Sequence, residues 1–492
     1  MSIKPQYAIH RYTSELCRLE SQSIVECRLQ SGEIASVLTV YAHAVPEEIT
    51  PVDGEVKYSG KVYLTVVYRD LDGKICRVER GAEFFHKAQD ERVTTACFAK
   101  ATYSTQGIKT RREGSGFYVS VVVNADITVY GTAQIERLLG GENLVVKKGE
   151  LEVVKTLCVS GETEEEDAFE TDGVTDVLLH TERANVAQAY VSGGKTSLIG
   201  EVLLTICVLK GSEICSYERQ IPFTVDLPVD EWVDKMPVRA KTEVKSAHLT
   251  ITTDEERGKS RVSVSLVLYS ECLLYLKDQT ECVEDVYSTD CALDVKCAKD
   301  GGRYLTNVLR FTERIGGTAS VSLTADGEIA LQTIVNPRVE FTCRKEGETW
   351  STEGFVEAEA IFKTDGGIVP AKITLPFVFP VQADGEEIQA SGILYGLTVR
   401  KVGDHFEADG TLKVTVCEYK RLEHSYVSSV SEGEKFTEEQ SAVSIYLPSE
   451  GDGLWEIAKK LRCKPEEVEK NNPQLKFPVA KGERLFVYRQ LK

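Results

Sequence analysis

Residues Gly60 to Phe85 read "GKVYLTVVYRDLDGKICRVERGAEFF". After the glycine, Val62, Leu64, Val66 and Tyr68 recur two apart, the period of a strand with one buried face. A Gly-containing turn follows, then a second strand closing on Phe84. The pattern returns in "GEVLLTICVLKGSEICSYERQIPFTV" from Gly200 and in "GFVEAEAIFKTDGGIVPAKITLPFVF" from Gly354. Val202, Leu204, Ile206 and Val208 match the first copy, as do Val356, Ala358, Ala360 and Phe362. The closing aromatics are Phe223 and Phe377, each preceded by a proline, Pro222 or Pro376.

Downstream of each hairpin lies another alternating run: "FYVSVVVNADITVY", "RVSVSLVLYSECLLY" and "TLKVTVCEY". Tyr130, Gln134 and Glu136 match Tyr275, Gln279 and Glu281. The third copy keeps Tyr419 and Glu423 without the glutamine. Copies spaced by about 140 to 155 residues are too long for a solenoid unit and predict related domains. The expected fold is mainly β, with three tandem related β-sandwich or barrel-like domains over residues 1–137, 138–284 and 285–428. "SGETEEEDAFETDG" (Ser160–Gly173) carries many carboxylates and reads as a solvated loop. The Ser/Glu-rich "SSVSEGEKFTEEQS" from Ser428 predicts a linker over 429–442.

The last stretch follows other rules. In "EGDGLWEIAKK" (Glu450–Lys460), Leu454, Ile457, Ala458 and Leu461 share one helical face, with Asp452 placed to cap the helix. Pro465 with Glu466 and Glu467 opens a second helix, "NNP" closes it, and "RLFVY" is a final strand. Residues 443–492 are therefore expected to form a small β-α-α-β module.

This module resembles a LysM domain. Tyr446, Gly451, Asp452, Leu454, Ile457 and Ala458 meet the family's opening motif. Asn472, Pro473 and Leu475 meet its Asn-Pro-x-Leu element, and Gly482 and Leu485 its close. The resemblance implies a binding groove made of Gly451, Asp452, Gly453 and Leu454 with Asn472, Pro473, Gln474 and Leu475. The usual ligand there is an N-acetylglucosamine polymer such as peptidoglycan. Gly453 stands where the family usually carries threonine, and Asn471 where it is usually apolar; both weigh against glycan. Trp455 has two readings, stacking on a sugar ring or packing over the helix pair.

The three β repeats followed by one LysM module resemble the SPOCS-domain proteins of spore-forming Gram-positive bacteria, of the coat morphogenetic type. That resemblance implies a non-catalytic structural adaptor of spore coat assembly. It would work in the mother-cell cytoplasm at the forespore surface. The LysM module would dock a coat-base morphogenetic ATPase, and the β domains other coat proteins. A peptidoglycan-binding protein of wall or cortex is the alternative.

Composition agrees with a non-enzymatic reading. The chain has 492 residues and a formal net charge of −19, which disfavours nucleic acid and anionic lipid as partners. The N-terminus lacks an apolar secretory segment, and no run is apolar and long enough to span a membrane. None of the 14 cysteines forms a Cys-x-x-Cys pair, so they are expected as reduced thiols in and near strands, with no metal. The seven histidines, His10, His43, His86, His180, His248, His405 and His424, show no metal-ligand spacing. "GGKT" (Gly193–Thr196) ends like a phosphate loop but has Ala189 where the first glycine belongs, and it leads into a strand. No Gly-x-Ser-x-Gly elbow occurs. No catalytic residues and no cofactor are expected.

Overall fold

A computed structural model describes residues 2–30, 33–113, 116–211, 213–254, 258–323, 329–365, 367–436 and 443–488. The chain is mainly β, with several antiparallel sheets and two short helices. The first six strands are β1 (Lys4–Gln30), β2 (Ile34–Val52), β3 (Glu55–Asp70), β4 (Ile75–Gln89), β5 (Phe98–Glu113) and β6 (Gly116–Glu142). They form two sheets, ordered β1-β6-β5 and β2-β3-β4. Next come β7 (Val145–Asp172), β8 (Asp176–Ser192), β9 (Lys195–Lys210), β10 (Glu213–Pro228), β11 (Val238–Asp254) and β12 (Lys259–Tyr287). Their sheets, β7-β12-β11 and β8-β9-β10, repeat the first order. The third group is β13 (Cys291–Val321), β14 (Ala330–Glu346), β15 (Thr349–Thr364), β16 (Gly367–Val381), β17 (Glu387–Val402) and β18 (His405–Lys435). The order returns, but β13 also pairs with β16 at Ser320 and Val321, which joins the two halves into one six-stranded sheet.

Each group encloses a core drawn from its own two sheets or, in the third, from the two halves of its one sheet. Val62, Leu64 and Val66 meet Val119, Val121 and Val123 in the first; Val202, Leu204 and Ile206 meet Val262, Val264 and Leu266 in the second. Val356, Ala358 and Ala360 meet Leu412, Val414 and Val416 in the third. The recurring glycine and phenylalanine are direct cross-strand partners: Gly60 with Phe84, Gly200 with Phe223 and Gly354 with Phe377. A Cβ at Gly200 would lie 2.5 Å from the Phe223 ring and 2.2 Å from the Asn185 carbonyl oxygen. The ring lies over the bare backbone, so the spacing of the two residues follows from register. The two glycines of "GGKT" are the two-residue turn of the β8–β9 hairpin, with Gly193 and Gly194 both at positive φ and Ser192 paired to Lys195.

Six strands of 27 to 31 residues outrun their sandwiches: β1, β6, β7, β12, β13 and β18. Their extensions pack against one another in successive layers. Tyr130, Tyr275 and Tyr419 share one with Leu273 and Leu305. Tyr12, Ile135, Leu151, Cys282 and Tyr426 form the next, and Leu138, Val283, Val286, Val427 and Val430 a third. At the opposite side, Val67, Cys207 and Ile361 meet with Leu38 and Leu178. Those two leucines sit at register shifts between Val37 and Thr39 and between Val177 and Leu179, where a bulge re-aims a side chain.

Two segments differ from expectation. Ser160–Gly173 is not a loop: Ser160 to Asp172 lie in β7, paired to β12 from Glu271 to Lys259. Strand β7 is a sheet edge, where charge is tolerated and discourages further pairing. Lys245 donates to Glu162 at 2.6 Å and Arg219 to Asp167 at 2.7 Å, so partners on neighbouring strands offset the acidic run. The expected linker is partly strand, since β18 continues to Lys435 opposite Cys291; residues 437–442 lie outside the described residues. Strands β6 and β12 likewise run past the expected breaks at 137 and 284. All 14 cysteines are free; seven are buried, while Cys297 is exposed. Among the described residues, no helix is long and apolar enough to cross a membrane.

Candidate functional site

The C-terminal module consists of β19 (Val443–Tyr446), α1 (Leu454–Leu461), α2 (Pro465–Asn471) and β20 (Leu485–Tyr488), with β19 and β20 antiparallel. Ile457, Ala458, Leu461, Val468, Val479, Leu485 and Val487 are buried together, as the 3.6 and 2.0 periods require. Pro465 occupies the first turn of α2, where no backbone N–H is needed.

The N-cap of α1 is Gly453, without a side-chain hydrogen bond, and not Asp452. Asp452 stands one residue earlier and closes the loop instead. Its carboxylate accepts from the Ser449 amide at 3.1 Å and from Lys460 at 2.9 Å. The Lys460 and Ser449 hydrogen bonds hold the Asp452 carboxyl below the usual range. Backbone bonds from Gly451 to Val479 and from Val479 to Asp452, both 3.0 Å, tie this loop to the chain before β20.

The expected groove residues divide. Pro473 and Gln474 are exposed, while Leu454 and Leu475 are half-buried against the module core. Asn472 faces inward and is fully buried. Its amide donates to the carbonyls of Val468 and Phe486, both at 2.9 Å, and its oxygen accepts from the Phe486 amide at 2.7 Å. Three of the four hydrogen bonds its side chain can make tie the end of α2 to β20, and full burial keeps the remaining lone pair from solvent.

Trp455 packs against the module core, one of the two readings expected of it, and also reaches beyond the module. It is half-buried, and its Nε1 donates at 2.8 Å to Asp285, on β12. Its ring meets the edge of Tyr287 at 5.0 Å. Lys459 reaches both oxygens of Asp285 at 2.7 Å, and the Tyr287 hydroxyl donates to the Cys463 carbonyl at 2.6 Å. Burial pushes the Cys463 thiol up to about 11. Arg462 stacks 3.6 Å over Phe436, whose amide is anchored to Asp290. The module thus rests on the end of β12, through α1. Asp285 and Tyr287 carry no mark in the sequence, since their partners lie some 170 positions away.

The strand pair of the module carries exposed apolar side chains. Val443, Ile445 and Leu447 project beside Phe486 and Tyr488, with Ile445 59% and Leu447 66% exposed. Val443 pairs with Tyr488 and Ile445 with Phe486, so these side chains share one face. Alternation in "LFVY" carried the signal: Leu485 and Val487 point inward, so Phe486 and Tyr488 must point out. Among the described residues, no group of three or more His, Cys, Asp or Glu side chains is arranged to hold a metal.

No protein-family model matches the chain, and comparison with curated proteins and with solved structures finds no match to either.

Proposed function

We propose that the protein is a non-catalytic structural adaptor of spore coat assembly, built from three related two-sheet β domains and a LysM-like docking module. The observation that carries the docking role is the exposed apolar face of Val443, Ile445, Leu447, Phe486 and Tyr488. A small module exposing five large side chains on one sheet face has the character of a protein interface core. The recurring strand order and the paired glycines and phenylalanines support reading the β region as one domain used three times. The β-α-α-β order supports the LysM reading. The partner proposed is the coat-base ATPase, with further coat proteins on the β domains, at the forespore surface in the mother cell.

The burial of Asn472 weakens the glycan alternative, because one side of the expected groove loses its amide. The test is capture of the purified coat-base ATPase by the full chain. Wild type is expected to retain it, and the double variant Ile445→Asp, Phe486→Asp to lose it while keeping native circular dichroism. Equal capture by both, or co-sedimentation of the chain with purified peptidoglycan, would overturn the proposal.

A further inference from the structure

A cleft of about 550 Å³ lies between the first and second groups of strands. Strands β2, β5 and β6 form one wall, β7, β8, β11 and β12 the other, and Ile393 of β17 also borders it. The volume is that of a small-molecule site. The two walls are bolted together. Lys100 donates to the Tyr269 hydroxyl at 2.6 Å and meets Glu271 at 3.1 Å, and Lys241 donates to Thr102 at 3.0 Å.

The charges inside do not cancel in pairs. Glu271 is met by Lys100, Glu243 by Lys241, Glu162 by Lys245 and Glu182 by His180. Glu47 and Asp126, the remaining lining carboxylates, are exposed. Two lining cations have no carboxylate partner among the described residues: Arg183 and Arg239. Among the described residues, Arg183 donates to the side chain of Asn336, at 3.1 Å, and no side-chain hydrogen bond or ion pair engages Arg239. Their surroundings differ. Arg183 is near Tyr41, the more distant carboxylate of Glu218 and a second guanidinium, Arg338, which itself hydrogen-bonds Thr105. Arg239 is near the phenols of Tyr130, Tyr275 and Tyr419. Burial, abetted by the charge of Arg338, pushes the Arg183 guanidinium down to about 10. Both guanidinium groups are half-buried, and a partly desolvated cation with no ion-pair partner is a natural place for an anion to bind. Apolar lining of the cleft comes from Ala44, Ala101, Ala184, Leu273 and Ile393.

We propose that this cleft binds a small organic dianion, with one acidic group at Arg239, the other at Arg183, and an apolar body between them. The site is separate from the C-terminal module, and its occupancy does not depend on the docking role proposed above. Calorimetric titration of the full chain with succinate, adipate and suberate at constant ionic strength tests it, with acetate and inorganic phosphate as controls. At least one dicarboxylate is expected to bind saturably at one site per chain and to raise the melting temperature, with acetate at least tenfold weaker. Arg239→Gln and Arg183→Gln should each weaken that binding tenfold or more, and Arg239→Lys less. Ile393→Trp, which fills the cleft at its border, should abolish binding without touching either arginine. Absence of saturable binding by every dicarboxylate, or affinity unchanged by Ile393→Trp and by both glutamine variants, overturns the assignment. Preference for phosphate over all dicarboxylates also overturns it, since a compact anion needs no apolar body.

Discussion

Asp285 holds the C-terminal module with a single carboxylate, shared by Trp455 and Lys459. Burial alone would raise its pKa; the hydrogen bonds from Lys459 and Trp455 outweigh that and lower it. A lowered folded pKa means the contribution is complete above the ordinary carboxylate range and is lost as pH falls through the folded value. Docking is therefore expected to hold at neutral pH and to loosen below about pH 4, seen as a red shift of Trp455 fluorescence. Asp285→Asn should remove that acid step, and Asp285→Ala should weaken docking by about 1–2 kcal/mol, since one hydrogen bond and a half-exposed ion pair are lost. Asn472 is the second decisive residue. Asn472→Ala leaves one buried and two partly buried backbone groups without this partner, at up to about 1–3 kcal/mol for the buried one. A module this small has little reserve, so its helices are expected to melt while the β region stays folded, as read by hydrogen exchange. Nothing local in "NNP" announces this role, because the partner amide and one carbonyl belong to Phe486, across the module.

Among the elements, the Gly–Phe hairpin recurs with one geometry. Gly200→Ala would drive a Cβ into the Phe223 ring and the Asn185 carbonyl, so an overpacking cost of about 1–3 kcal/mol is expected in urea unfolding. Phe223→Ala should cost about 3–5 kcal/mol, because Phe223 is a buried ring of the second core. The hairpins were legible because both period and turn glycines are local properties. Strand β7 was not. Its carboxylates deny it an apolar face over Ser160–Glu170, and it is a strand because β12 pairs with it along its length. The same holds for the end of β18, where a Ser/Glu-rich run pairs with β13. Non-local hydrogen bonding overrode composition in both cases.

At the scale of the molecule, the three groups of strands share layers that none of them can complete. Tyr130, Tyr275 and Tyr419 come from three different groups and pack in one cluster, with Tyr275 and Tyr419 edge-to-face at 6.1 Å. A fragment spanning 145–287 would leave Leu151, Val153, Tyr275, Cys282, Val283 and Val286 uncovered. That fragment is expected to bind a hydrophobic dye and to aggregate. The full chain should show no separate calorimetric transitions for the three groups. Two clearly resolved β transitions in the full chain would contradict a shared interior.

The sequence by itself determined the β class, the threefold hairpin pattern and the change to helices near Leu454, because period and turn chemistry act over a few residues. The tertiary structure alone decided that Asn472 turns inward, that Trp455 seats on Asp285 and Tyr287, and that two arginines without an ion-pair partner among the described residues line one cleft. Each of these joins residues far apart in the chain. Their energies depend on burial and on partners that only the assembled sheets bring within reach.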